Sequence, residues 1–241
     1  MSSSLVESKS TPKQPSGWIS SVLSQAIVFW LRSQVDSIEA LEVNINASNR
    51  SLLQGKITQV TLKATHGIYQ GLHLSQIDLR TSDVQTNLRQ ILKGQPLKLL
   101  HPVLVDLHVC LNQTDLNCSV ISILLQNALQ DTLVPWLKSH PRLKSIEGLK
   151  PQSIILTDTD LILEGTLTCP ESISHFQLRT QLERSSPQAL ELMNALLIVQ
   201  PQTQAIVLEK LTLDLGSEVR IDKISLASER LVLAGQIQIN P

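Results

Sequence analysis

Runs in which every second residue is apolar dominate this chain, and a period of two belongs to a pleated strand with one face covered and the other wet. The segment 208–241 shows it best. Leu211, Leu213 and Leu215, then Leu231, Leu233, Ile237 and Ile239 share one parity, while Thr212, Asp214, Gln236, Gln238 and Asn240 hold the other. Turn residues divide the segment into three expected strands, LEKLTLDLG, VRIDKISLAS and LVLAGQIQINP.

The alternation recurs upstream in Leu41, Val43, Ile45 and Ala47, and in Val60, Leu62 and Ala64. It is cleanest in Val103, Val105, Leu107, Val109 and Leu111, where Pro102 stands at a strand start, a place that tolerates proline. Leu72 and Leu74 are out of phase with Ile77 and Leu79, which predicts a bulge. Val219 and Ile221 slip against Ile224 and Leu226 in the same way, a faint echo that fits either two related halves or a shared bulged-strand pattern. A hairpin is expected from Ile154–Leu156 to Leu161, Leu163 and Leu167, with further strands over 176–182 and 190–198.

Helical spacing is rarer. Over 17–35, Ile19, Val22, Leu23, Ala26, Phe29 and Trp30 predict an amphipathic helix that also carries Trp18. Such a helix serves either as a membrane-interface anchor or as a helix packed on the domain. A short helix is expected around 87–93. Thr114 and Asp115 resemble an N-cap, and Leu116, Val120, Ile121, Leu124, Leu125, Ala128 and Leu129 follow with helical periodicity until Pro135, which should kink or end the helix. Residues 1–16 are too polar to bury surface and read as a disordered tail, leaving 36–241 as one α+β domain.

Composition narrows the function. Charged residues are 17% of the chain, below the roughly 25% usual for soluble domains, and aromatics only 2%, so the interior is built from Leu, Ile and Val. Such an interior suits aliphatic chains better than flat rings or sugars. A net charge of -1 with no basic stripe argues against a nucleic-acid partner.

Chemistry-bearing residues are scattered. Cys110, Cys118 and Cys169 lack metal-ligand spacing, none of the six histidines stands in a ligand pair, and no nucleophile elbow or phosphate loop occurs, so no metal, cofactor or enzymatic activity is expected. An enzyme would have to gather His108, Cys110 or the Asp158 and Asp160 pair into one cleft. Aspartates in a turn explain that pair as well. Lys138, His140, Arg142 and Lys144, beside Trp136, form a basic cluster that fits either anionic headgroups or a solvated helix exit. The expected membrane contacts are therefore Trp18, Trp30, Trp136, Lys138, Arg142 and Lys144. Four N-x-S/T sequons begin at Asn46, Asn49, Asn112 and Asn117 and are read as chance. The polar N-terminus lacks the features of a secretory signal, and no apolar run is long enough to span a bilayer, so a cytoplasmic protein, peripheral on an internal membrane, is expected.

Three stretches resemble one known family. LTLDLGSEVRIDKISLASERLVLAGQIQINP, LLQGKITQVTLKATHGIYQGLHLSQIDLRTSDV and HPVLVDLHVCLNQTDLNCSV are similar to blocks of the LmeA-like phospholipid-binding family, over roughly Leu41 to Pro241. In lacking an export signal the chain resembles the intracellular members of cyanobacterial type. The resemblance implies an elongated domain in which a curved, mostly antiparallel sheet wraps one or two long amphipathic helices and leaves an acyl-chain groove, as in tubular lipid-binding domains. The function it implies is non-enzymatic phospholipid binding or transfer at an internal membrane surface. The other reading is an interaction or scaffold protein whose aliphatic core is filled. For the groove lining, the inward strand positions Val105, Leu107 and Val109 are expected to face Ile121, Leu124, Leu125 and Ala128 of the helix.

Overall fold

A computed structural model describes residues 18–87, 90, 95, 98–202 and 204–241. The tail expected over 1–16, and most of the short helix expected around 87–93, lie outside the described residues.

Two open antiparallel sheets carry the fold. The first joins β1 (Ser37–Asn46), β2 (Lys56–Tyr69), β3 (Leu72–Gln85), β4 (Val103–Asn112), β11 (Val219–Ala227) and β12 (Arg230–Ile239) in the order β1-β2-β3-β4-β12-β11. The second joins β5 (Gly148–Leu156), β6 (Leu161–Cys169), β7 (Ser172–Ser186), β8 (Ala189–Val199) and β10 (Leu211–Asp214) in the order β10-β8-β7-β6-β5, with the short β9 (Ile206–Val207) also on β8. The three C-terminal strands therefore do not form one set. β10 completes the second sheet, whereas β11 and β12 return to the first, β12 lying along β4 from Arg230↔Asn112 to Ile239↔Val103.

Both parity slips prove to be irregularities, of different kinds. In β11 the pairing shifts by one residue between Ile221 and Lys223, which makes Asp222 a bulge. β2 and β3 keep one register from Lys56↔Gln85 to Tyr69↔Leu72, so the bulge expected there is absent. Pairing instead lapses at His66, whose φ of 47° is left-handed. Asp83, at φ 54°, does the same at the other end of the pair. The backbone there turns without gaining a residue.

The helices depart from expectation. α1 (Trp18–Gln34) and α4 (Ile123–Ser139) have 17 residues each, α2 (Asn49–Leu53) and α3 (Gln113–Ser119) are shorter, and a 3-10 turn covers Pro141–Leu143. Among the described residues no long amphipathic helix is wrapped by a single sheet. α1 buries Leu23 but exposes Phe29 and Trp30, and α4 exposes Ile123 and Leu124 while burying Leu133, Val134, Trp136 and Leu137, so apolar residues encircle both instead of forming one stripe. The helix expected to run on from Thr114 is broken at Val120–Ser122. Ser122 recaps it by accepting from the Leu125 N–H at 3.2 Å. α3 is entered through Asn112, which gives no side-chain cap, and not through Thr114 or Asp115. Pro135 sits inside α4, which continues to Ser139.

Apolar side chains collect in two clusters. The larger packs the inner face of the second sheet, with Leu163, Leu167 and Leu178, against Val120 and the buried half of α4, and it reaches Leu231 of β12. The smaller sets Leu23 and Ile27 of α1 and Leu52 of α2 on one end of the first sheet, at Ile57, Val84, Val103 and Val105.

Candidate functional site

Register decides which side chains share a face, because directly opposed residues on neighbouring strands point the same way. Across the first sheet one row reads Leu41–Ala64–Ile77–Val109–Leu233–Ile224, and the next reads Val43–Leu62–Leu79–Leu107–Gly235–Ile221. Neither row contains a polar side chain. On the opposite face the corresponding rows read Glu42–Lys63–Asp78–His108–Ala234–Lys223 and Asn44–Thr61–Arg80–Asp106–Gln236–Arg220. Charges of alternating sign lie side by side there, as expected of a solvated face.

The two apolar rows run between the two clusters. Leu41, Leu62, Ile77, Leu107, Val109 and Leu233 lie outside both clusters and are only half-buried. A row further toward the β2–β3 turn, the face becomes polar on β1 to β3, while Leu111, Leu231 and Leu226 continue it as apolar into the larger cluster. His66 stands between Glu39, at 4.0 Å from its Nε2, and Asp115 of α3, at 3.9 Å from its Nδ1, while the Ser75 hydroxyl donates to Asp115 at 2.5 Å. The apolar strip thus has a polar end, fixed by the first turn of α3.

Beyond that end lies a cleft of about 640 Å³, formed where the Gln70–Gly71 turn meets the break between α3 and α4. Cys118, Ile121, Ile123 and Leu124 line it, and α3 is tied there by the Ser119 hydroxyl, which accepts from the His73 N–H at 2.8 Å. Ile121 is 79% exposed and Ile123 77%.

The residues expected to line one groove are not brought together. Leu107 and Val109 lie on the open apolar rows, Val105 is buried in the smaller cluster, and Leu125 packs against the larger one. Ile121, Leu124 and Ala128 are exposed, the first two at the cleft. Ser122 caps α4 afresh in the middle of what reads as one helix. Among the expected membrane contacts, Trp136 is a core residue: it is buried, and its indole N–H donates to the Glu209 carbonyl at 3.0 Å. Its indole is therefore withheld from any membrane. Lys138, Arg142 and Lys144 are exposed and Trp30 partly so, while the Trp18 side chain lies outside the described residues. Sequence reasoning missed Leu41, Leu62, Ile77 and Leu233 as site residues, because only strand order places them beside Val109. It also missed Ile123, hidden within what reads as one helix.

The chemically suggestive groups each face a different partner. His108 faces Asp78 at 3.9 Å, whereas the buried Cys110 receives the Arg230 Nε–H at 2.8 Å. Asp158 accepts from the Ser228 N–H at 3.0 Å. Asp160 instead takes two bonds from Arg179, at 2.6 and 3.0 Å, which hold its carboxyl below the usual carboxylate range although burial pushes it up. Among the described residues no group of three or more His, Cys, Asp or Glu side chains is placed to hold a metal ion. Among them, too, no helix is long and apolar enough to cross a membrane.

No curated protein and no solved structure matches the chain. The LmeA-like phospholipid-binding family does match, over residues 15–236, a span that includes the second sheet and all but the last three residues of the first, and the chain belongs to that family.

Proposed function

We propose that this protein holds the acyl part of a phospholipid against the apolar face of its first sheet, without catalysing a reaction, as a peripheral protein of an internal membrane surface. The observation that carries the proposal is the strip of half-buried aliphatics between two filled clusters, with no polar side chain in either row. Each methylene taken out of water there contributes about 0.8 kcal/mol, so one chain supplies several kcal/mol with little selectivity between tails. The headgroup stays at the polar end near Ser75 and Asp115.

Native mass spectrometry of protein purified by mild extraction, before and after incubation with liposomes, tests this directly. The expected result is a mass shift of phospholipid size; protein that carries no lipid and takes none up sinks the proposal. Val109→Trp separates an open strip from a filled scaffold core. Over an open strip the indole occupies ligand space, so lipid uptake falls while stability holds. In a filled core the same change overpacks and costs about 1–3 kcal/mol.

A further inference from the structure

Lipid binding through a sheet face leaves open how the protein meets a membrane, and the surface of the first sheet's end answers it. Ile121 and Ile123 are 79% and 77% exposed and Leu124 is 40% exposed, all at the break between α3 and α4, and Tyr69 at the neighbouring turn is 43% exposed. Single exposed aliphatics are ordinary, whereas three within four residues at a protruding turn need a partner.

The chemistry around them selects the partner. From Leu116 to Gln130 the chain has no Asp, Glu, Lys or Arg, and from Gly67 to Ile77 it has none either. Gln70, Ser122 and Asn127 line the cleft with uncharged polar groups, and the carboxylate of Asp36 beside it accepts from the Gly71 N–H at 2.9 Å. A protein partner is normally selected by complementary charge around an apolar centre. Ile121, Ile123 and Leu124 have no charged neighbour in sequence to supply it, and the Asp36 carboxylate at the turn is already bonded to backbone, so the aliphatic tip sinks to headgroup depth with little charge to desolvate. Tyr69 suits that depth too, having an apolar ring and a polar end. We infer that the α3–α4 break, with Ile121, Ile123 and Leu124, is the surface by which this protein docks on a phospholipid bilayer.

The inference rests on the lipid-binding reading for its purpose, and β3 connects the two sites. His73 lines the cleft and Ile77 lies on the apolar strip, four residues or about 13 Å along an extended strand. That is close to half the roughly 30 Å hydrocarbon thickness of a bilayer. A docked tip thus brings the strip within one leaflet's depth of the lipids it would take.

Flotation of the full chain with vesicles of pure phosphatidylcholine tests the docking. Binding is expected to persist at high salt, because the contact is aliphatic and these vesicles carry no net charge. The double variant Ile121→Asp, Ile123→Asp is expected to lose about tenfold or more in vesicle affinity. Both positions are exposed, so the fold is not at stake, and this variant should still take up a soluble short-chain phospholipid. Ile123→Trp should bind vesicles more tightly. The inference is overturned if the wild type ignores vesicles, if the double aspartate variant binds them as well as wild type, or if salt releases the wild type, which would transfer the contact to Lys138, Arg142 and Lys144. It is also overturned if the wild type sediments as a dimer that the aspartates split. Failure of the wild type to take up short-chain lipid would sink the groove and leave the docking result to stand alone.

Discussion

Asp160 has almost no contact with water, yet two N–H groups of Arg179 keep it ionised. Its folded-state pKa lies below the unfolded one. The stabilisation is therefore complete above the ordinary carboxylate value, about 3.9, and disappears as pH falls through the depressed value. Asp160→Asn should lower Tm near neutrality, and the two Tm curves should converge in acid; a gap that stays constant on acidification would show that no proton is linked. Gly235 makes a different demand. It faces the bulge in β11, and a Cβ there would collide with the Arg220 carbonyl oxygen, as one on Gly165 would with the Lys150 carbonyl opposite the bulge in β5. Gly235→Ala should cost about 1–3 kcal/mol by urea denaturation, as overpacking does. That Asp158 and Asp160 lie between two strands was legible in the sequence, but their carboxylates bond across the fold, to the Ser228 N–H and to Arg179, which no local pattern announces. The need for Gly235 was not legible, because the obstructing oxygen belongs to a neighbouring strand.

Among the elements, α3 does more than its 7 residues suggest. Its Asn117 amide bonds both ways to Ile154, donating to the carbonyl at 3.0 Å and accepting from the N–H at 2.7 Å, and Gln113 accepts from the Leu156 N–H at 2.8 Å. β5 is an edge strand, and these amides satisfy backbone groups that would otherwise template another chain. Asn117→Leu leaves a donor and an acceptor without partners and should cost roughly 2–4 kcal/mol, measured by urea unfolding. Asn117 also opens one of the four sequons, and the structure gives its side chain another use. Strands were easier to read than helices because parity survives any sheet arrangement. The boundary between α3 and α4 was hidden because Ile121 and Ile123 flank Ser122, and a wide apolar stripe reads straight through a cap.

For the whole molecule, two clusters with an aliphatic strip between them replace the single wrapped sheet expected from the sequence. Composition foretold the aliphatic surfaces, and the resemblance foretold the family to which the chain belongs. Neither could say that α1 would cover one end of the sheet and the second sheet's core the other, since this depends on which strands pair. If the strip is where lipid sits, bound phospholipid should raise Tm by mass action, and Val109→Trp should abolish that rise while leaving the lipid-free Tm unchanged.

The pairing of β12 with β4 also sets a timetable for folding. Ten residues of β4, Val103–Asn112, find their partners in Arg230–Ile239, more than a hundred positions later. During synthesis, at about 5–20 residues per second, β4 emerges with one edge unpaired while the whole second sheet is still to be made. For many seconds the nascent chain presents an unprotected row of alternating aliphatics. Truncations that end before β11 should therefore yield aggregates in place of smaller stable domains.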